Sequence, residues 1–157
     1  MAAARELLAA HDASGATVEA VCHVIKHVGF KDELGGGKAR PALTPALAVV
    51  QDADRLDAIG AVGIARCFMF GGARGAGIWG GAEEDARVEK EAATLTREEY
   101  MAASKRGDRS CVAHFADKLL KLKGLMKTDA GRRAAEGRHV FMEAFLTQLR
   151  AEWNGER

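Results

Sequence analysis

The densest carboxylate constellation of the sequence is Gln51-Asp52-Ala53-Asp54-Arg55-Leu56-Asp57. Carboxylates gathered this closely can hold a hard divalent cation or move protons. On a helix whose apolar side carries residues 53, 56 and 60, Asp54 and Asp57 share an adjacent face and Asp52 points elsewhere. Carboxylates that border a core are costly unless paired or bound to a cation. Two readings follow: Asp54 as a metal ligand, or Asp54 and Asp57 as groups that cap or pair with Arg55 and Arg66. Farther along, His114 and Lys118 stand one helical turn apart and can aim at one place. Lys118 also opens a basic run through Lys121, Lys123, Lys127, Arg132, Arg133 and Arg138, which a phosphate-bearing ligand could meet. No aromatic residues are interleaved with these charges, so a solvated helix face is expected and a nucleic-acid surface is not.

Three other patterns carry less. Gly75 to Gly80, GAGIWG, has G-x-G-x-x-G spacing, but an apolar helix precedes it and Glu83-Glu84-Asp85 follow, which repel an anion. A loop is expected there. His23 and His27 have the i, i+4 spacing that can share a metal. Val24, Ile25 and Lys26 fill the interval without the glutamate of an H-E-x-x-H helix, so two unrelated histidines are expected. His11-Asp12 has the form of a metal-binding pair but lies in a turn with Ala13, Ser14 and Gly15, where Asp12 is free to satisfy backbone N–H groups. Adjacent residues in a turn are not held as ligands must be.

The elements that must position these side chains are helices. Ala2 to Ala10 is strong helix-forming sequence. Val18, Val21, Cys22, Ile25 and Val28 follow the period of an amphipathic helix that stops at Gly29. Lys31 to Leu43, with three consecutive glycines, is a connector. Thr44-Pro45 starts a helical stretch that runs to about Phe70, with a bend between Asp57 and Gly63 where small residues crowd. Gly71 to Gly81 and the charged run Glu83 to Glu91 form a long break, with a short helix near Arg97 to Lys105. Ser110 caps a helix whose stripe is Val112, Phe115, Leu119 and Leu122, ended by Gly124, and Thr128 starts the last helix, with Phe141, Phe145, Leu149 and Trp153 at every fourth position. No alternating strand pattern appears, so the expectation is one all-α domain over 1–157 with a mobile Gly-rich and charged loop at about 71–109.

Composition narrows the function. Alanine and glycine fill almost a third of the 157 positions, which leaves enough large apolar side chains for one modest core. Twenty-three basic against 22 acidic residues, a net charge of +1, exclude a strongly basic nucleic-acid binder and an acidic tail protein. No stretch is long and apolar enough for a membrane span, and the N-terminus, with Glu6, reads as a helix and not as a secretory signal. Cys22, Cys67 and Cys111, odd in number and widely spaced, fit free thiols in a reducing compartment, most simply the cytoplasm.

The run from Val50 through Asp52, Asp54, Arg55, Asp57, Gly60 and Gly63 to Arg66 resembles the signature of a branch of the HD-domain metal-dependent phosphohydrolases. His114-Phe115, Lys118 to Leu122, Met126, Thr128, Gly131, Phe141, Phe145 and Trp153 follow the C-terminal pattern of that branch, and Val18 to Phe30 is similar to the helix before its signature. The resemblance implies an HD-domain-like helical bundle and hydrolysis of nucleotide-like or other small phosphoesters by metal-activated water. It implies a divalent ion (Mn, Mg, Fe, Ni or Co) with Asp54 as the family's later aspartate. His114 and Lys118 become phosphate contacts, a cationic pair on one turn facing the equatorial oxygens, while Asp57 and Arg66 support the scaffold. No residue is assigned to the catalytic step. The family's first histidine and its His-Asp pair precede the Val18 to Phe30 helix by further helices, and His11-Asp12 does not stand in for them. The implied chain is therefore an N-terminally truncated HD domain, and a catalytically inactive helical interaction subunit is the alternative. Either form implies a protein partner or homo-oligomer over an exposed apolar face.

Overall fold

The structure, a computed structural model, describes residues 1–30, 41–86 and 109–156. Its helices are α1 (Ala2–Ala10), α2 (Gly15–His27), α3 (Pro45–Asp57), α4 (Gly60–Gly72), α5 (Cys111–Asp117), a 3-10 helix (Leu119–Leu125) and α6 (Asp129–Trp153). There is no strand among the described residues. Four of the helices begin at a hydroxyl that accepts a free N–H of the first turn. Ser14 takes Thr17 N at 3.2 Å, Thr44 takes Leu47 N at 3.1 Å, Ser110 takes Ala113 N at 3.1 Å and Thr128 takes Gly131 N at 2.9 Å. Each such cap stabilises its helix by about 1 kcal/mol. At α2 the capping oxygen belongs to Ser14 and not to Asp12, which turns the chain with φ 54°.

The stretch expected from Thr44 to about Phe70 is two helices, broken at Ala58 and Ile59, and α4 continues to Gly72. The corner is tight. Gly60 has φ 75°, and a Cβ there would lie 2.9 Å from the Arg138 side chain. A Cβ on Gly63 would lie 2.2 Å from the Ala58 carbonyl oxygen. The α3 carbonyl of Leu56 accepts Ile59 N at 3.4 Å at the break and also accepts a hydrogen bond from the Arg138 guanidinium of α6.

Across the core α4 packs on α6, and α5 with the 3-10 helix closes the third side. Phe68, Phe115 and Phe145 meet with ring centroids 5.8 to 6.4 Å apart. The helix expected from Ser110 to Gly124 keeps α geometry only to Asp117. Leu119 and Leu122 remain buried together because residues three apart eclipse in a 3-10 helix.

The segment 71–81, expected as a loose glycine loop, is pinned. Gly71 and Gly72 finish α4, and residues 82–86 are helical where the charged run was expected to extend the break. Trp79 is only 8% exposed and donates from Nε1 to Asp85 at 3.0 Å, while Arg150 Nε of α6 donates to the same carboxylate at 2.9 Å. The helix expected near Arg97 to Lys105 and most of the connector from Lys31 lie outside the described residues. Val49, Val50, Val62, Met69 and Phe70 are exposed. The three cysteines are free thiols, and no described helix is long and apolar enough to cross a membrane.

Candidate functional site

Along α3 the buried stripe is Leu47, Ala48, Gln51, Asp52 and Arg55, with Ile59 beyond, whereas Val49, Val50 and Ala53 face out. The expected orientation of the aspartates is therefore corrected: Asp52 is buried and Asp54 is exposed. Polar residues take the inside because their hydrogen bonds are made there. Asp52 accepts Lys127 N at 2.7 Å, Thr128 N at 2.8 Å and the Thr128 hydroxyl at 2.7 Å. Gln51 donates to the His27 carbonyl at 2.8 Å, and Arg55 donates to the Gln51 carbonyl at 2.7 Å. Burial pushes the Asp52 carboxyl pKa up, the bonds from Lys127 and Thr128 pull it down, and the bonds prevail.

Asp57 pairs with Arg66, as the scaffold reading expects. Asp54 makes no hydrogen bond or ion pair among the described residues. No group of three or more His, Cys, Asp or Glu among those residues is placed to hold a metal ion. His23 and His27 contact each other with ring centroids 4.9 Å apart, but His23 Nε2 lies 2.9 Å from the Ala42 carbonyl oxygen. A hard divalent ion takes about six oxygen donors. A lone exposed carboxylate does not supply them, so the described residues do not by themselves fit the metal that the family resemblance implies.

His114 and Lys118 are brought together as expected, in a cavity of about 370 Å³ between α4 and α5. Arg66, Arg74 and Arg109 line the same space, with apolar walls from Cys67, Phe70, Cys111 and Leu119. Asp54 is not in its lining. The α4 end can approach α5 because residue 71 is glycine: a Cβ there would lie 2.3 Å from Cys111 Sγ. Cys67 Sγ faces the Cys111 carbonyl at 3.7 Å and Cys111 Sγ the Cys67 carbonyl at 3.9 Å. Burial, reinforced by the neighbouring Cys111, pushes the Cys67 thiol up to about 12, so this wall is protonated and not nucleophilic at neutral pH.

The electrostatics of the pair differ from the expectation. Burial first, then the charges of Lys118 and Arg109, lower the His114 pKa to about 4. His114 is thus a neutral imidazole beside a cation, and the two are not a doubly cationic pair. The Lys118 ammonium lies 5.4 Å above the Phe30 ring. Arg109 is paired with buried Asp117. The first N–H groups of α5 are already taken, Cys111 N by the Gly77 carbonyl at 2.9 Å and Val112 N by the Ile78 carbonyl at 3.0 Å. The GAGIWG loop thus serves as backbone acceptor for a helix start, and no phosphate can use that terminus.

Sequence reasoning missed Arg74, Arg109 and the cysteine wall as partners of His114. The available signal was Gly71, whose lack of a side chain marks a close approach at the end of an apolar helix.

No protein-family model matches the chain. It is 42% identical over 135 residues to the uncharacterised protein YpgQ of Bacillus subtilis (strain 168), which covers 86% of this chain and 52% of that protein. Among solved structures it resembles a Lactobacillus plantarum protein with TM-score 0.71 at 33% identity, over 95% of this chain and 64% of that one. The structure of Bacillus subtilis YpgQ in complex with ADP matches with TM-score 0.66 at 35% identity, over 96% and 62%. An HD-superfamily hydrolase from Bacillus thuringiensis matches with TM-score 0.50 at 40% identity, over 69% and 46%. The chain spans about half the length of the curated relative it matches, and its fold is an all-α, HD-like helical bundle.

Proposed function

We propose that the chain acts as an HD-type phosphohydrolase scaffold and takes a nucleotide-like or other small phosphoester in the α4–α5 cavity, with His114 and Lys118 as contacts to the phosphate. The observation that carries this reading is the cavity itself, about 370 Å³ of mostly apolar wall bordered by Arg66, Arg74, Arg109 and Lys118. That volume is in the range of small-ligand sites, and converging cations select an anionic group. A neutral His114 adds a hydrogen bond without a competing charge. The likeness to a hydrolase of the HD superfamily and to YpgQ, which was crystallised with ADP, supports the same reading. Hydrolysis by metal-activated water with Asp54 as a ligand needs donors from beyond the described residues, so no chemical step is assigned to Asp54.

The test is calorimetric titration of the purified chain with ADP in EDTA, followed by phosphate release from nucleotides with Mn added. ADP is expected to bind, and Lys118→Ala to weaken it about tenfold. Phosphate release above background, lost in Asp54→Ala together with bound metal, supports the hydrolase. A wild-type chain that ignores ADP sinks the proposal.

A further inference from the structure

Arg74 lies just past the end of α4, in a turn fixed by backbone bonds from Arg74 N to the Gly71 carbonyl at 2.9 Å and from Ala76 N to the same carbonyl at 3.0 Å. Its guanidinium carbon stands 3.7 Å from the centroid of the Phe70 ring, and both residues line the cavity. The other arginines there are matched by carboxylates, Arg66 by Asp57 and Arg109 by Asp117. Among the described residues no carboxylate pairs with Arg74. Phe70 is 63% exposed, so its ring faces solvent except where the guanidinium covers it. A guanidinium held this close over an aromatic face is anchored by cation–π attraction while its planar fork can still make a two-point bond to phosphate oxygens.

We infer that Arg74, held over the Phe70 ring, is the phosphate-anchoring residue of this cavity and binds the terminal phosphate of a nucleoside diphosphate through a two-point hydrogen bond that needs no metal ion. The inference rests on the phosphoester reading of the cavity and deepens it. Arg74 touches the ligand, and Phe70 is a positioning residue that acts through it. Lysine cannot replace the planar fork, so charge alone does not restore the contact.

The experiment titrates ADP, pyrophosphate and adenosine separately into the full chain in EDTA, for wild type, Arg74→Gln, Arg74→Lys, Phe70→Leu and, as a control that removes one charge from the exposed face of α6, Arg133→Gln. Arg74 is exposed and outside a helix, so its variants are expected to fold, which circular dichroism checks. Arg74→Gln is expected to weaken ADP and pyrophosphate by about tenfold or more and to leave adenosine unchanged. Arg74→Lys recovers only part of that loss, Phe70→Leu weakens the two phosphates several-fold but not adenosine, and Arg133→Gln changes nothing. If Arg74→Gln binds ADP and pyrophosphate like wild type, the inference is overturned while the nucleotide reading stands. If pyrophosphate binds through Arg74 but ADP does not bind, the nucleotide reading falls and the nucleoside-diphosphate ligand of the inference falls with it. A wild-type chain that binds neither anion overturns both.

Discussion

The surroundings of His114 and Asp52 change the ordinary chemistry of both residues, and the two act in separate pH windows. The folded chain holds the His114 pKa near 4, below the usual 6.5, because burial and the charges of Lys118 and Arg109 disfavour the imidazolium. Between these values the unfolded chain binds more protons than the folded one, so stability rises with pH. The full contribution is present above about pH 6.5 and is lost as pH falls toward 4. Asp52 behaves in the usual carboxylate sense. Its folded pKa lies below 3.8, so its contribution survives until the pH falls lower still. Thermal melts at pH 7 and pH 5 should therefore show wild type losing about 2 kcal/mol, several degrees in Tm, relative to His114→Gln. Equal losses in the two proteins would remove the His114 account. The spacing of His114 and Lys118 was legible in the sequence, and the charge state was not, because it depends on Arg109 and on burial that no local pattern encodes.

At the scale of elements, the joint between α3 and the start of α6 is where sequence and structure differ most instructively. The start of α3 at Thr44-Pro45 was legible, but the apolar side was assigned to residues 53, 56 and 60, of which Ala53 is exposed. The buried stripe is recognisable only once Asp52 is matched with Lys127, Thr128 and Gly131, which lie about 75 positions away. The Asp52 carboxylate fits because residue 131 has no side chain: a Cβ there would lie 2.2 Å from Asp52 Oδ2. Asp52→Ala leaves two backbone donors and a hydroxyl without an acceptor and is expected to cost about 3 kcal/mol or more in urea denaturation. Gly131→Ala should cost about 2 kcal/mol or more by forcing that carboxylate aside. In the double variant the clash has lost its partner, so the combined cost should fall clearly short of the sum. Additive costs would mean that the two residues do not share the joint.

Across the whole molecule, the all-α class and the helix starts at Thr44, Ser110 and Thr128 could be read from Ser, Thr and apolar spacing, whereas the order of the 71–86 segment could not. Six glycines in eleven residues signal freedom, and the restraint comes from Trp79, Asp85, Arg150 and Trp153, which meet only after the chain has folded back on α6. That restraint reaches the candidate site. The Gly77 and Ile78 carbonyls accept from Cys111 N and Val112 N, and Glu84 accepts from Ser110 N at 3.1 Å, so the pinned segment completes the start of the helix that carries His114. Trp79→Ala removes the buried ring and is expected to destabilise the fold by about 3 kcal/mol or more. It should also act locally. Amide exchange at Cys111 and Val112 should quicken much more than at Leu146 in the interior of α6, because their acceptors are held in place by the Trp79 ring. ADP affinity should fall in parallel, since Ser110, Cys111 and His114 line the cavity from this end of α5. A uniform rise in exchange throughout the chain would instead show that Trp79 contributes only to global stability and that the segment does not govern the site.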